Sequence, residues 1–83
     1  MQMNVEEKNK LLSYRADLIT IVVDLQRVIS KQENLAYYGQ FTKERARKNI
    51  EEFEEKIQYN FDLIRELEKQ LERDYNIVLK FSD

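Results

Sequence analysis

The chain contains a single glycine, Gly39, and no proline, and that glycine lies near the middle of 83 residues. Glycine and proline are the strongest local punctuation of secondary structure, so one turn between two long elements is the simplest plan. The turn is Tyr38-Gly39-Gln40-Phe41-Thr42. Gly39 suits the left-handed position just past a helix end, and Thr42 can cap the helix that follows. The expected organisation is one domain over 1–83, with a helix at about 5–37, a turn at 38–41, a second helix at about 42–75 and a tail at 76–83.

Asn4 with Glu7 three residues later is a capping-box-like start that also places acids in the first helical turn. Leu11, Tyr14, Leu18, Ile21, Leu25, Val28 and Leu35 then recur at spacings of three and four, broken only at Gln32, as a heptad seam does. Leu12, Ile19, Val22 and Ile29 form a second apolar row beside it. The β-branched run Ile19-Thr20-Ile21-Val22-Val23 has no flanking turn residues, so it reads as helix rather than strand.

The second helix has a narrower seam of Ala46, Ile50, Phe53, Ile57, Ile64, Leu67 and Leu71, with Asn60 at the position that would continue it. A buried Asn there could fix register. Oppositely charged residues at i,i+4, such as Arg47/Glu51 and Glu52/Lys56, mark a solvated outer face. The fold class is therefore all-α, a long antiparallel helical hairpin. One hairpin leaves an apolar row of the first helix in water, so Leu12, Ile19, Val22 and Ile29 are expected to mediate self-association into a dimeric four-helix bundle. The runner-up is a monomeric three-helix bundle that breaks the first helix near Ser30-Lys31-Gln32-Glu33-Asn34. In the tail, Tyr75, Ile77, Leu79 and Phe81 alternate with Asn76, Val78, Lys80 and Ser82. That period leaves continued helix, docked coil and an intermolecular strand all open.

The chain has no Cys and no His, which removes thiol nucleophiles, imidazole proton shuttles and the usual ligands of zinc and haem. Charged residues make up 36% of the chain yet the net charge is only -2, so the totals show neither a basic nucleic-acid binder nor an acidic mimic of one. Glu51-Glu52-Phe53-Glu54-Glu55 holds two overlapping E-x-x-E spacings, which can serve a hard cation, but no Glu has Asp three residues later to complete the two-motif pattern of all-α nucleotide pyrophosphohydrolases. Ser13, Ser30, Ser82, Thr20 and Thr42 have no His to activate them, and nothing singles out a Lys as their base. The expectation is no enzyme, no catalytic residue, no metal and no cofactor. The first residues are acidic where an export signal is basic, and the most apolar stretch, from Leu18 to Ile29, contains Asp24 and Arg27. A soluble, cytoplasmic protein is expected, with no membrane partner.

The least ordinary local composition surrounds the turn, where Tyr37, Tyr38 and Phe41 precede Lys43, Arg45, Arg47 and Lys48. Aromatics beside cations suit a protein-binding hot spot, and the same pairing can stack on bases and neutralise phosphates. Positive charge at a helix start also opposes the helix dipole. The competing structural reading has the aromatics plugging the end of the bundle. The function expected from these residues is a non-catalytic protein–protein interaction module, of the small bacterial or phage regulator, inhibitor or adaptor type. A nucleic-acid or nucleotide-phosphate binder using the aromatic-basic turn is the alternative.

Overall fold

Asn4 stands in extended backbone ahead of the first helix, and its Oδ1 accepts the Glu7 N–H at 3.2 Å. In this computed structural model, which describes residues 4–39 and 42–81, helix α1 spans Val5–Tyr37 and helix α2 spans Lys43–Tyr75. Gly39 takes a φ of 75° and its N–H donates to Ala36 O, a left-handed position that costs a residue with a Cβ more than it costs glycine. Thr42 then caps α2 by accepting the Arg45 N–H at 3.2 Å. The β-branched run is helical, and the Thr20 hydroxyl bonds back to Ala16 O at 3.1 Å.

The two helices pack along their length as an all-helical hairpin measuring 60 × 15 × 15 Å. Its radius of gyration of 17.0 Å exceeds the roughly 12 Å of a globular chain of this length. The three-helix alternative is overturned, because α1 runs unbroken through residues 30–34. No breaker residue stops it there. Gln32 turns inward instead, and its Oε1 accepts from Asn49 Nδ2 at 3.1 Å.

On α2 the expected seam is the one observed: Ala46, Ile64, Leu67 and Leu71 are buried, and Ile50, Phe53 and Ile57 are half-buried. On α1 the seam is rotated by one residue from the expected one. In its first half Leu11, Arg15, Leu18 and Val22 turn inward, whereas Tyr14 and Ile21 remain 48% and 43% exposed; toward the tip Leu25, Val28, Ile29, Gln32, Leu35 and Ala36 are all half-buried. The row assigned to self-association is thereby divided. Val22 is fully buried in the chain's own core, in one cluster with Leu18, Ile64 and Leu67, and so cannot face a second subunit in this fold. Ile29 joins the seam half-buried, Ile19 packs against the core cluster, and Leu12 is half-buried beside it. Burying a side chain the size of Val22, Ile64 or Leu71 contributes about 1.5–3 kcal/mol. With six buried apolar residues among the described ones, the core is a thin line running along the rod.

Asn60 does not reach across the interface. Its Nδ2 donates to Lys56 O of its own helix at 2.7 Å, so the polar cross-links between helices lie elsewhere, at Gln32–Asn49 and Arg15–Glu68.

α2 ends at Asn76, whose φ of 58° reverses the chain while the Asn76 and Ile77 N–H groups return to the Glu72 and Leu71 carbonyls. Asn tolerates this left-handed conformation better than most residues with a Cβ. Residues 77–81 have no regular secondary structure and fold back onto the hairpin, with Ile77, Leu79 and Phe81 half-buried and Val78 and Lys80 exposed. The period-two pattern is therefore met by docking onto the chain's own helices. The Phe81 ring stacks on Phe61, with centroids 5.4 Å apart.

Candidate interaction site

The aromatic residues at the hairpin tip point into solvent. Tyr37 and Tyr38 are 83% and 74% exposed and pack edge-to-face on each other, with centroids 5.1 Å apart at 89°. Neither plugs the end of the hairpin. Phe41 lies outside the described residues.

The four basic residues that open α2 do not form one patch. Successive helical residues are rotated by about 100°, which spreads Lys43, Arg45, Arg47 and Lys48 around the axis. Lys43 and Arg47, one turn apart, share the rim of a groove of about 480 Å³ with Glu33, Glu51 and Glu54, over a floor of Ala36, Ala46 and Ile50. Arg47 Nε stands 3.9 Å from Glu51 Oε1. The tip groove is thus apolar at its base and mixed in charge at its edge, a chemistry that suits a protein surface better than a run of phosphates.

The same geometry bears on the acidic run. Glu51 and Glu54 line the tip groove, while Glu52 and Glu55 line a different groove with Ile21, Leu25 and Tyr59. The four carboxylates thus diverge, and among the described residues no group of three or more potential ligands is placed to hold a metal ion.

Away from the tip, the hairpin has two unlike flanks. One carries Arg15, and there the tail is anchored. Glu68 Oε2 accepts from Arg15 Nε at 3.0 Å, from Arg15 Nη2 at 2.9 Å and from the Phe81 N–H at 2.7 Å. The two side chains are 15% and 12% exposed. The other flank is open. Tyr14 and Ile21 stand there exposed, seven residues apart, with the half-buried Val28 and Leu35 continuing the spacing, and across the groove from Ile21 and Leu25 stands Tyr59, 65% exposed. Leu63 shares a smaller depression with Tyr14.

Reading the sequence by hydropathy missed Arg15, Glu68 and Asn49, because charged and amide side chains are scored as outward-facing. The available signal was positional: Arg15 and Glu68 each fall one residue from an accepted seam position, at Tyr14 and Leu67.

At the base of the hairpin the Tyr75 phenol lies within the influence of the Glu7 carboxylate. Partial burial, and then the negative charges of Glu7 and Asp74, hold its phenol above the ordinary tyrosine range. Glu7 therefore uses its backbone N–H for the Asn4 cap and its side chain for α2.

No helix among the described residues is long and apolar enough to cross a membrane. No protein-family model matches the chain, and neither the curated proteins nor the solved structures offer a match.

Proposed function

We propose that the protein is a non-catalytic interaction module whose hairpin pairs with a second hairpin into a four-helix bundle and presents its tip to another protein, as a small regulator, inhibitor or adaptor does. The observation that carries this reading is the exposure of Tyr37 and Tyr38 at the tip. Two adjacent aromatic rings held in water at the end of a rigid rod gain most by being covered, and aromatic residues dominate protein-binding hot spots. The neighbouring groove supports a protein partner, since its rim alternates Lys43 and Arg47 with three carboxylates.

The test is capture of partners from a host lysate by the wild type and by a Tyr37→Ser/Tyr38→Ser variant. A protein held by the wild type, resistant to nuclease and lost with the two rings while helical circular dichroism is unchanged, is the expected outcome. Retention that depends on nucleic acid and collapses between about 50 and 200 mM salt would transfer the function to phosphate binding by the basic residues.

A further inference from the structure

We propose that two copies of the chain pair face to face through the open flank of the hairpin, along the row of Tyr14, Ile21 and Val28 on α1 with Tyr59 and Leu63 on α2. This deepens the pairing in the functional reading above and rests on it, while moving the interface away from Leu12, Ile19, Val22 and Ile29.

The spacing identifies the kind of occupant. A row that repeats every seven residues stays in line only along another helix running beside it, so the face is shaped for a long helical rod. The chain is itself such a rod, 60 Å long. Tyr14, Ile21 and Tyr59 remain 48%, 43% and 65% exposed and Val28 and Leu63 half-buried, exposed apolar surface of the sort that marks an association site.

The opposite flank explains why the assembly stops at two. There the returning tail places Phe81 on Phe61 and ties its own backbone to Glu68. Between Phe61 and Glu72 one flank is thus occupied by the chain's own tail while the other is open, and pairing through a single self-complementary face gives a closed pair rather than a filament.

Charge favours a copy over a strongly charged partner. Asp17, Asp24 and Lys31 each lie three residues beyond a member of the apolar row, and Lys56 and Glu66 border the same grooves on α2. A rim with both signs in near balance complements itself. Area then sets the strength. The row from Tyr14 to Leu35 runs about 32 Å along α1, and across a rod 15 Å wide it offers a projected face of about 500 Å². Two such faces bury about 1,000 Å², the lower bound of a specific interface, which implies a reversible pair rather than an obligate one.

The experiment is sedimentation equilibrium of the full chain from low micromolar to hundreds of micromolar, beside a Tyr14→Glu/Ile21→Glu variant. Both positions are exposed in the single hairpin, so the variant should keep its helicity. The expected result is a concentration-dependent dimer for the wild type and a dissociation constant weakened about thirtyfold or more in the variant. Tyr59→Lys, on the other helix, should weaken the pair in the same direction and stands in if the double variant unfolds. A wild type that stays monomeric throughout overturns both this interface and the pairing it rests on. A dimer unmoved by either change overturns the interface alone and leaves the pairing standing on another surface.

Discussion

Arg15 and Glu68 meet across the hairpin through one oxygen, with Glu68 Oε2 lying 3.0 Å from Arg15 Nε and 2.9 Å from Nη2. The same oxygen takes the Phe81 N–H at 2.7 Å, so one carboxylate joins α1, α2 and the tail. A nearly buried acid that lost its arginine would be left as an uncompensated charge, which costs more than the intact pair contributes. Arg15→Ala is therefore expected to lower stability by about 2–3 kcal/mol, below the range for a fully buried pair because these side chains keep some contact with water. Arg15→Met combined with Glu68→Leu should recover part of that loss, the Phe81 N–H being left without its acceptor. Urea denaturation of the two single variants and the double variant measures the coupling; strictly additive losses would show that the pair does not act as a unit.

Glu68 also predicts how the tail responds. Glu68→Gln keeps an acceptor oxygen but removes the charge that Arg15 and the Phe81 amide share. Hydrogen exchange at the Phe81 amide should accelerate in this variant by about tenfold, the equivalent of about 1.4 kcal/mol, while exchange in the middle of α2 stays near its wild-type rate.

Removing the tail altogether separates its contribution from that of the helices. Truncation after Asn76 should leave helical circular dichroism largely intact, since both helices end before it and the backbone bond they lose is the single Ile77 N–H to Leu71 O link of the C-cap. The urea midpoint should fall, because the half-buried Leu79 and Phe81 side chains and the Phe61–Phe81 stack are lost. A cooperative loss of helicity would mean that the tail completes the core.

The rotated seam on α1 can be read from paired substitutions one residue apart. Val22→Ala removes a fully buried side chain and should cost about 1–2.5 kcal/mol, whereas Ile21→Ala, at a position 43% exposed, should cost under about 1 kcal/mol at concentrations where the chain is monomeric. Thermal melts of dilute protein compare them. If Ile21 proved the costlier of the two, the original seam through Tyr14 and Ile21 would be restored.

Tyr75 gives the fold an alkaline limit. Its phenol is raised above the ordinary value in the folded state, so the neutral form is the one the fold prefers. That contribution is complete below the unfolded value near pH 10 and is lost as pH rises through the folded one. The urea midpoint of the wild type should drop more steeply above about pH 10 than that of Tyr75→Phe, which has no proton to lose. Parallel profiles would show that Glu7 and Tyr75 are not coupled in solution.

Much of this architecture is determined by the sequence alone, because its signals are local. One Gly without Pro sets a single turn, Asn4 and Thr42 supply the caps, and a narrow apolar row on α2 can face only one way. The alternation from Tyr75 to Phe81 leaves helix, docked coil and strand open, and only the fold decides among them. Tertiary structure decided which flank of α1 turns inward and where the tail goes. The expected and observed seams of α1 share Leu11, Leu18 and Leu25, and they part at Tyr14 or Arg15 and Ile21 or Val22, whereas toward the tip Val28 and Ile29, and Leu35 and Ala36, are all half-buried. Hydropathy favours the row containing Tyr14 and Leu35 over one containing Arg15 and Ala36. That preference reverses only when Glu68 is brought from 53 residues away to neutralise Arg15, and when Ala36 finds Ala46, another small residue, beside it at the tip. An inward arginine is favourable only with its partner in place, and the partner's position is a property of the folded hairpin rather than of either helix.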